Sequence, residues 1–232
     1  MPTCHQLDIA MNYQNAIEMA PQFELRIAEL AKKSGDTSLH AALYQATLRY
    51  LLNYPTLGAC HLFAAILYVL FVEAEEFVLS KRTADDLDDD DLVEYCMCVG
   101  VAKSPKFERF DHSWVEAGSL IYDVAVCLPL EGGASTGGPV FASHDLLTEQ
   151  WVDGAYRQFD TDSLDPVAED VVRWSLAEYG EEIWKCDRRQ LWEMIADIGS
   201  EVGFNFDPSY LATRHGSTYR VRAQPISETN AG

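Results

Sequence analysis

An α+β fold is predicted from three observations. Apolar residues recur at helical spacing from Asn12 to about Phe77, and at Tyr95 the period changes from 3.6 to 2. Helical spacing then returns from Pro166 onward. Helices, then antiparallel strands, then helices again is an α+β order.

The first expected helix spans Asn12 to Lys33, interrupted near Pro21 and stopped by Ser34-Gly35. Asp36 can cap a second, in which Leu39, Ala42, Leu43 and Ala46 repeat on one face. That helix ends before Asn53-Tyr54-Pro55. A third should start between Thr56 and Gly58 and run to about Phe77. Its apolar stretch, Leu57 to Val72, contains His61 and Tyr68 and is shorter than the ~18–20 residues a bilayer requires, so it reads as a core helix.

The segment "TADDLDDDDLVE", Thr83 to Glu94, packs aspartates too densely for a helix or strand interior and reads as a solvated loop. It lacks the central Gly and the terminal Glu of a calcium loop. Strands follow at "YCMCVGVA", at Phe110–Ala117 and at Leu120–Cys127. "LEGGASTGGPV" is a loop, and no Lys-Ser/Thr pair follows its glycines as a phosphate-binding loop would need. Helices are expected near Pro166–Tyr179 and Glu181–Gly199, and the polar tail from Gln224 should fray. The organisation expected is therefore an N-terminal helical part (1–52), a central core (53–160), a C-terminal helical subdomain (161–223) and a tail (224–232).

Composition narrows the function. The 232 residues carry 17 basic and 37 acidic side chains, a formal charge of −20. That argues against nucleic acid and anionic membranes as partners. The N-terminus "MPTCHQLDIAMNYQ" has neither a basic n-region nor an apolar h-region, so a cytoplasmic protein with reduced thiols is expected.

The stretch "FDHSWVEAGSLIYDVAV", Phe110 to Val126, is the most informative. Gly118-Ser119 suits a two-residue type II′ turn. The register then pairs Ala117 with Leu120, Glu116 with Ile121, Trp114 with Asp123, and His112 with Ala125. His112, Trp114 and Glu116 share a face with Asp123, and His112 and Asp123 become diagonal neighbours within reach of a hydrogen bond. An imidazole oriented by a carboxylate needs a nucleophile, for which Ser and Cys are both possible, and the sequence offers a well-placed thiol. Cys60, in "YPTLGACHLFAAIL", stands at a helix start, where free N–H groups and the macrodipole favour the thiolate. Its own backbone N–H is a candidate oxyanion donor.

These residues together resemble the transglutaminase-like branch of the papain-like cysteine enzymes. The resemblance is carried by Gly58-Ala59-Cys60 opening an apolar helix, by His112-Ser113-Trp114-Val115-Glu116 on a strand, and by Asp123 on the next. The short interval from His to Asp is also similar to that of the leader-peptide proteases of lasso-peptide biosynthesis. The resemblance covers about Tyr54 to Cys127. It implies a papain-like core with added N- and C-terminal helices, and a Cys60 nucleophile, His112 base and orienting Asp123 acting on the amide bonds of a protein or peptide. No cofactor is implied. Hydrolysis by a peptidase or amidase is the expected outcome, ahead of transfer to an amine. Tyr54 stands six residues ahead of Cys60, where papain-type enzymes carry an oxyanion Gln, so Asn53 or Tyr54 is the candidate replacement.

Plainer readings stand beside these. Cys60 can be a small buried hydrophobe, and the whole fold an inactive binding module. Trp114 reads as core packing beside the site, and Glu116 as a structural group at the hairpin end. Cys96, Cys98 and Cys127 have no fourth ligand at zinc spacing and read as core thiols, so no metal is expected. His144-Asp145 lacks further ligands. Trp174, Trp184 and Trp192 read as packing of the C-terminal helices.

Overall fold

The computed structural model describes residues 13–34, 38–56, 59–81, 93–103, 109–128, 137–156, 164–187 and 189–223. The Asp36 cap, most of the acidic segment, the glycines before Gly137 and the tail from Gln224 lie outside them.

Helix α1 (Tyr13–Ser34) buries Ala16, Phe23 and Ile27 on one stripe. It runs unbroken through Pro21, contrary to the expected interruption. Pro21 is exposed, so the Ile17 carbonyl that loses its N–H partner there can be hydrated. Helix α2 (Ser38–Asn53) packs between α1 and α3 (Cys60–Leu79). Helix α3 starts at Cys60, later than expected, with Ala59 as its N-cap. From Leu62 to Phe71 nearly every side chain is buried, the pattern of a helix enclosed on all sides.

Strands β1 (Tyr95–Lys103) and β2 (Arg109–Ala117) pair antiparallel along their full length, from Tyr95 opposite Ala117 to Lys103 opposite Arg109. Met97, Val99 and Val115 join the helical core on one face of this sheet. Cys98 and Trp114 face a smaller cluster that includes Tyr156. The turn after β2 forms as expected: Gly118 has φ 58 and Ala117 pairs with Leu120.

Strand β3 (Leu120–Tyr122) is far shorter than the expected Leu120–Cys127. The pairings of Trp114 with Asp123 and of His112 with Ala125 are not formed. Asp123 instead exchanges both backbone bonds with Val140, at 2.8 and 2.7 Å, so the chain leaves β2 for a second, two-stranded sheet. That sheet is β4 (Val140–Phe141) with β5 (His144–Asp145). Its turn residues Ala142 and Ser143 have φ 47 and 60, and Ser143 is tied to Ile121 through both its N–H and its hydroxyl. These bonds hold a backbone conformation that neither side chain favours.

Beyond the short helix α4 (Asp153–Tyr156), the C-terminal third departs further from expectation. The helix expected over Pro166–Tyr179 divides into α5 (Pro166–Arg173) and α6 (Leu176–Asp187), and the one over Glu181–Gly199 becomes α7 (Leu191–Glu201). The break at Ser175 is chemical. Ser175 N–H donates to Glu178 Oε2 at 2.8 Å and Glu178 N–H to Ser175 Oγ at 3.3 Å, a capping box that opens α6. Helix α8 (Pro208–His215), capped by Asp207, was not expected; neither was β6 (Val221–Arg222), which lies parallel to β1 and completes the order β3-β2-β1-β6. Buried Glu73 of α3 takes His215 Nε2 at 2.7 Å and Arg214 Nε at 2.9 Å, bolting α8 to the central helix. One hydrophobic core thus draws on all three expected stretches. Trp174 and Trp192 pack against it, as expected of the C-terminal helices.

Candidate functional site

The junction between the start of α3 and strand β2 gathers a connected group of buried polar side chains, His112, Ser113 and Asp123 among them. Cys60 is the first residue of α3, and no side chain caps that helix end. The positive end of the helix dipole there favours a negative charge near the sulfur.

His112 reaches this end from β2 and is 4% exposed. Its Nε2 lies 2.5 Å from Asp123 Oδ2. That leaves Nδ1 for the Cys60 thiol, with which the ring is also hydrogen-bonded. The His112–Asp123 contact survives the loss of strand pairing because Asp123 is held by other means. Its Oδ1 accepts from Ala125 N–H at 2.9 Å and Val126 N–H at 3.1 Å, and its Oδ2 accepts from Tyr156 O–H at 2.9 Å. Its backbone carbonyl accepts from Tyr44 O–H at 2.9 Å. A carboxylate with this many donors is fixed in place and stays a strong acceptor toward the imidazole.

The electrostatics follow from this chain of contacts. Burial raises the Cys60 thiol, but the charge and hydrogen bond of His112, helped by a hydrogen bond from His61, pull it down to about 5. Burial lowers the His112 imidazole, yet Asp123 and then Cys60 outweigh it and carry it up to about 10. The resting pair is a thiolate beside an imidazolium, which is the form that attacks a carbonyl and then protonates what leaves.

Of the remaining expected residues, Trp114 is fully buried, edge-on to Tyr156 at 5.1 Å, and donates its indole N–H to Glu116 Oε1 at 2.9 Å. Asn53 is exposed at the end of α2, and Tyr54 is 55% exposed, with its ring on Tyr50 and the Arg189 guanidinium above it. Neither is placed by these contacts as an oxyanion donor. Cys96 and Cys98 pack in the small cluster while Cys127 lies in the main core, so the two groups are not gathered. Among the described residues no cluster of His, Cys, Asp or Glu could hold a metal ion. No helix there is long and apolar enough to cross a membrane.

Four site residues went unseen in the sequence. Tyr44 and Tyr156 come from distant elements and carry no local signal. His61 stood out only as a polar break in an apolar run. Arg220 lies 4% exposed with its guanidinium 4.1 Å from the Tyr179 ring, and its Nη2 donates to the His61 carbonyl at 3.0 Å. No protein-family model, curated protein or solved structure matches this chain.

Proposed function

We propose that this chain is a cysteine-dependent amide-bond hydrolase of the transglutaminase-like, papain-like kind, acting on a protein or peptide. The observation that carries the reading is the buried series Cys60–His112–Asp123, in which one imidazole nitrogen faces the thiol and the other a fully satisfied carboxylate. In the first half-reaction the Cys60 thiolate attacks the amide carbon. His112 gives its proton to the departing amine, the C–N bond breaks and a thioester remains. In the second, water attacks the thioester, His112 accepts a water proton, and the carboxylic acid leaves as Cys60 is regenerated. Asp123 holds the ring in the orientation and tautomer both steps need.

Iodoacetamide at about pH 6 tests the reading, because a free thiol near ~8.5 is scarcely ionised there. Cys60 should be alkylated selectively, with the site identified by peptide mapping. Cys60→Ala should abolish cleavage of amide substrates while leaving the melting transition in place. Slow and equal labelling of every cysteine would instead favour an inactive fold that serves as a binding module.

A further inference from the structure

A second imidazole touches the sulfur. His61 follows Cys60 in the first turn of α3, and its ring is hydrogen-bonded to the thiol alongside that of His112. Its Nδ1 lies 2.6 Å from Ser113 Oγ, and Ser113 is 1% exposed. Two consecutive residues of α3 therefore meet two consecutive residues of β2: Cys60 meets His112, and His61 meets Ser113. Neighbouring strand side chains point to opposite faces, so His112 and Ser113 leave β2 in different directions, and each meets a different one of the two α3 residues. The Arg220 guanidinium, buried and with its Nε making no hydrogen bond, fixes the His61 backbone by donating to its carbonyl.

The two rings are not equivalent. His112 has a carboxylate on its far nitrogen, which suits a proton carrier. His61 has a hydroxyl there. When Ser113 O–H donates to Nδ1, the proton of His61 resides on Nε2, the nitrogen left for the sulfur. An N–H beside a thiolate gains a second use during attack. As the C–S bond forms, negative charge leaves sulfur and appears on the carbonyl oxygen about one bond further out. A donor already aimed at the sulfur can follow that charge with a small shift. The position six residues ahead of the nucleophile holds Tyr54, which turns outward, so this donor has no rival from that side.

We infer that His61 is a second catalytic residue, whose Nε2–H, set by Ser113, donates to the resting thiolate and then to the oxyanion of the adduct on Cys60. The assignment rests on the Cys60–His112 reading above.

The test separates the two. p-Nitrophenyl acetate acylates the thiolate with loss of p-nitrophenolate, and the burst measures oxyanion formation; iodoacetamide alkylation forms no oxyanion and measures the thiolate alone. His61→Phe should slow the burst ~10²-fold while alkylation at about pH 6 slows less than about threefold, and His61→Gln, which restores an N–H donor, should recover part of the burst. A burst within about threefold of wild type overturns the inference, as does an equal fall in both rates, which would confine His61 to the ground-state thiolate. Should His61→Phe not fold, His61→Leu and Ser113→Ala decide by the same comparison: burst lowered more than alkylation supports the inference, and parallel rates overturn it. A wild-type protein with neither burst nor selective alkylation would overturn the hydrolase reading itself and this inference with it.

Discussion

Cys60 and Cys127 share one hydrophobic core and flank the same carboxylate, yet their thiols are treated in opposite ways. Cys60 is 9% exposed and Cys127 not at all. Burial raises both. For Cys127 the next contribution, the charge of Asp123, also raises it, and its Sγ donates to the Val124 carbonyl at 3.2 Å as a thiol should. For Cys60 the imidazolium of His112 stands between sulfur and Asp123 and reverses the sign. The same carboxylate thus adds to the burial that keeps one thiol protonated, and acts on the other through an interposed ring that lowers it. Reactivity here is decided by what lies between a cysteine and its nearest anion, and exposure alone would have ranked the two almost alike.

The pH profile should show the contrast most strongly. Alkylation of Cys60 should rise as pH climbs through about 5, the value to which His112 depresses it, and level off above. Amide turnover should share that rise and fall again as His112 loses its proton near 10, because the acid for the leaving amine is then gone. Cys127 should stay unlabelled in the folded protein across this range. Rate profiles for each cysteine, read by peptide mapping, check this; a Cys60 onset near ~8.5 would erase the contrast.

His112→Ala removes the interposed ring. Cys60 should then titrate much closer to an ordinary thiol, with up to roughly 300-fold slower alkylation at about pH 6. Stopped-time alkylation of the variant measures it. Asp123→Asn keeps the ring but weakens the anion behind it, so amide turnover should fall by roughly 10- to 100-fold, less than with His112→Ala, and the Cys60 onset should move to higher pH. An onset unchanged from wild type would show that Asp123 does not act through His112. Smallest is Tyr156→Phe, which removes one donor from Asp123 and should cost about 1 kcal/mol in denaturant unfolding while Cys60 labelling stays fast. A loss of labelling there would mean that Asp123 depends on Tyr156 for its position.

The positions of the candidate triad were legible because each is written in short-range pattern. Gly118-Ser119 specifies a hairpin turn, the alternation along Phe110–Ala117 assigns faces, and Cys60 stands where loop residues give way to an apolar run. Only half of the hairpin expected to bring His112 to Asp123 is formed. The turn and the first pairs formed, but β3 ended at Tyr122, and the contact survives because the turn at Ala125-Val126 and the Tyr156 hydroxyl fix the carboxylate. Asp207-Pro208, a cap followed by proline at the first helical position, was a readable start signal for α8, as was Ser175-x-x-Glu178 for α6.

By itself the sequence determined the α+β order, the turn at Gly118, and the placing of a thiol at a helix start and of an imidazole on a strand, because helix and strand periods and turn chemistry act over a few residues. Only the tertiary structure decided that Asp123 leaves β2 to pair with Val140, that Tyr44, Tyr156 and Arg220 converge on the site, and that His61 meets Ser113. Those contacts join residues separated by 17 to 159 positions. No local preference encodes them; burying α3 on the sheet takes these polar groups out of water and leaves them one another as partners.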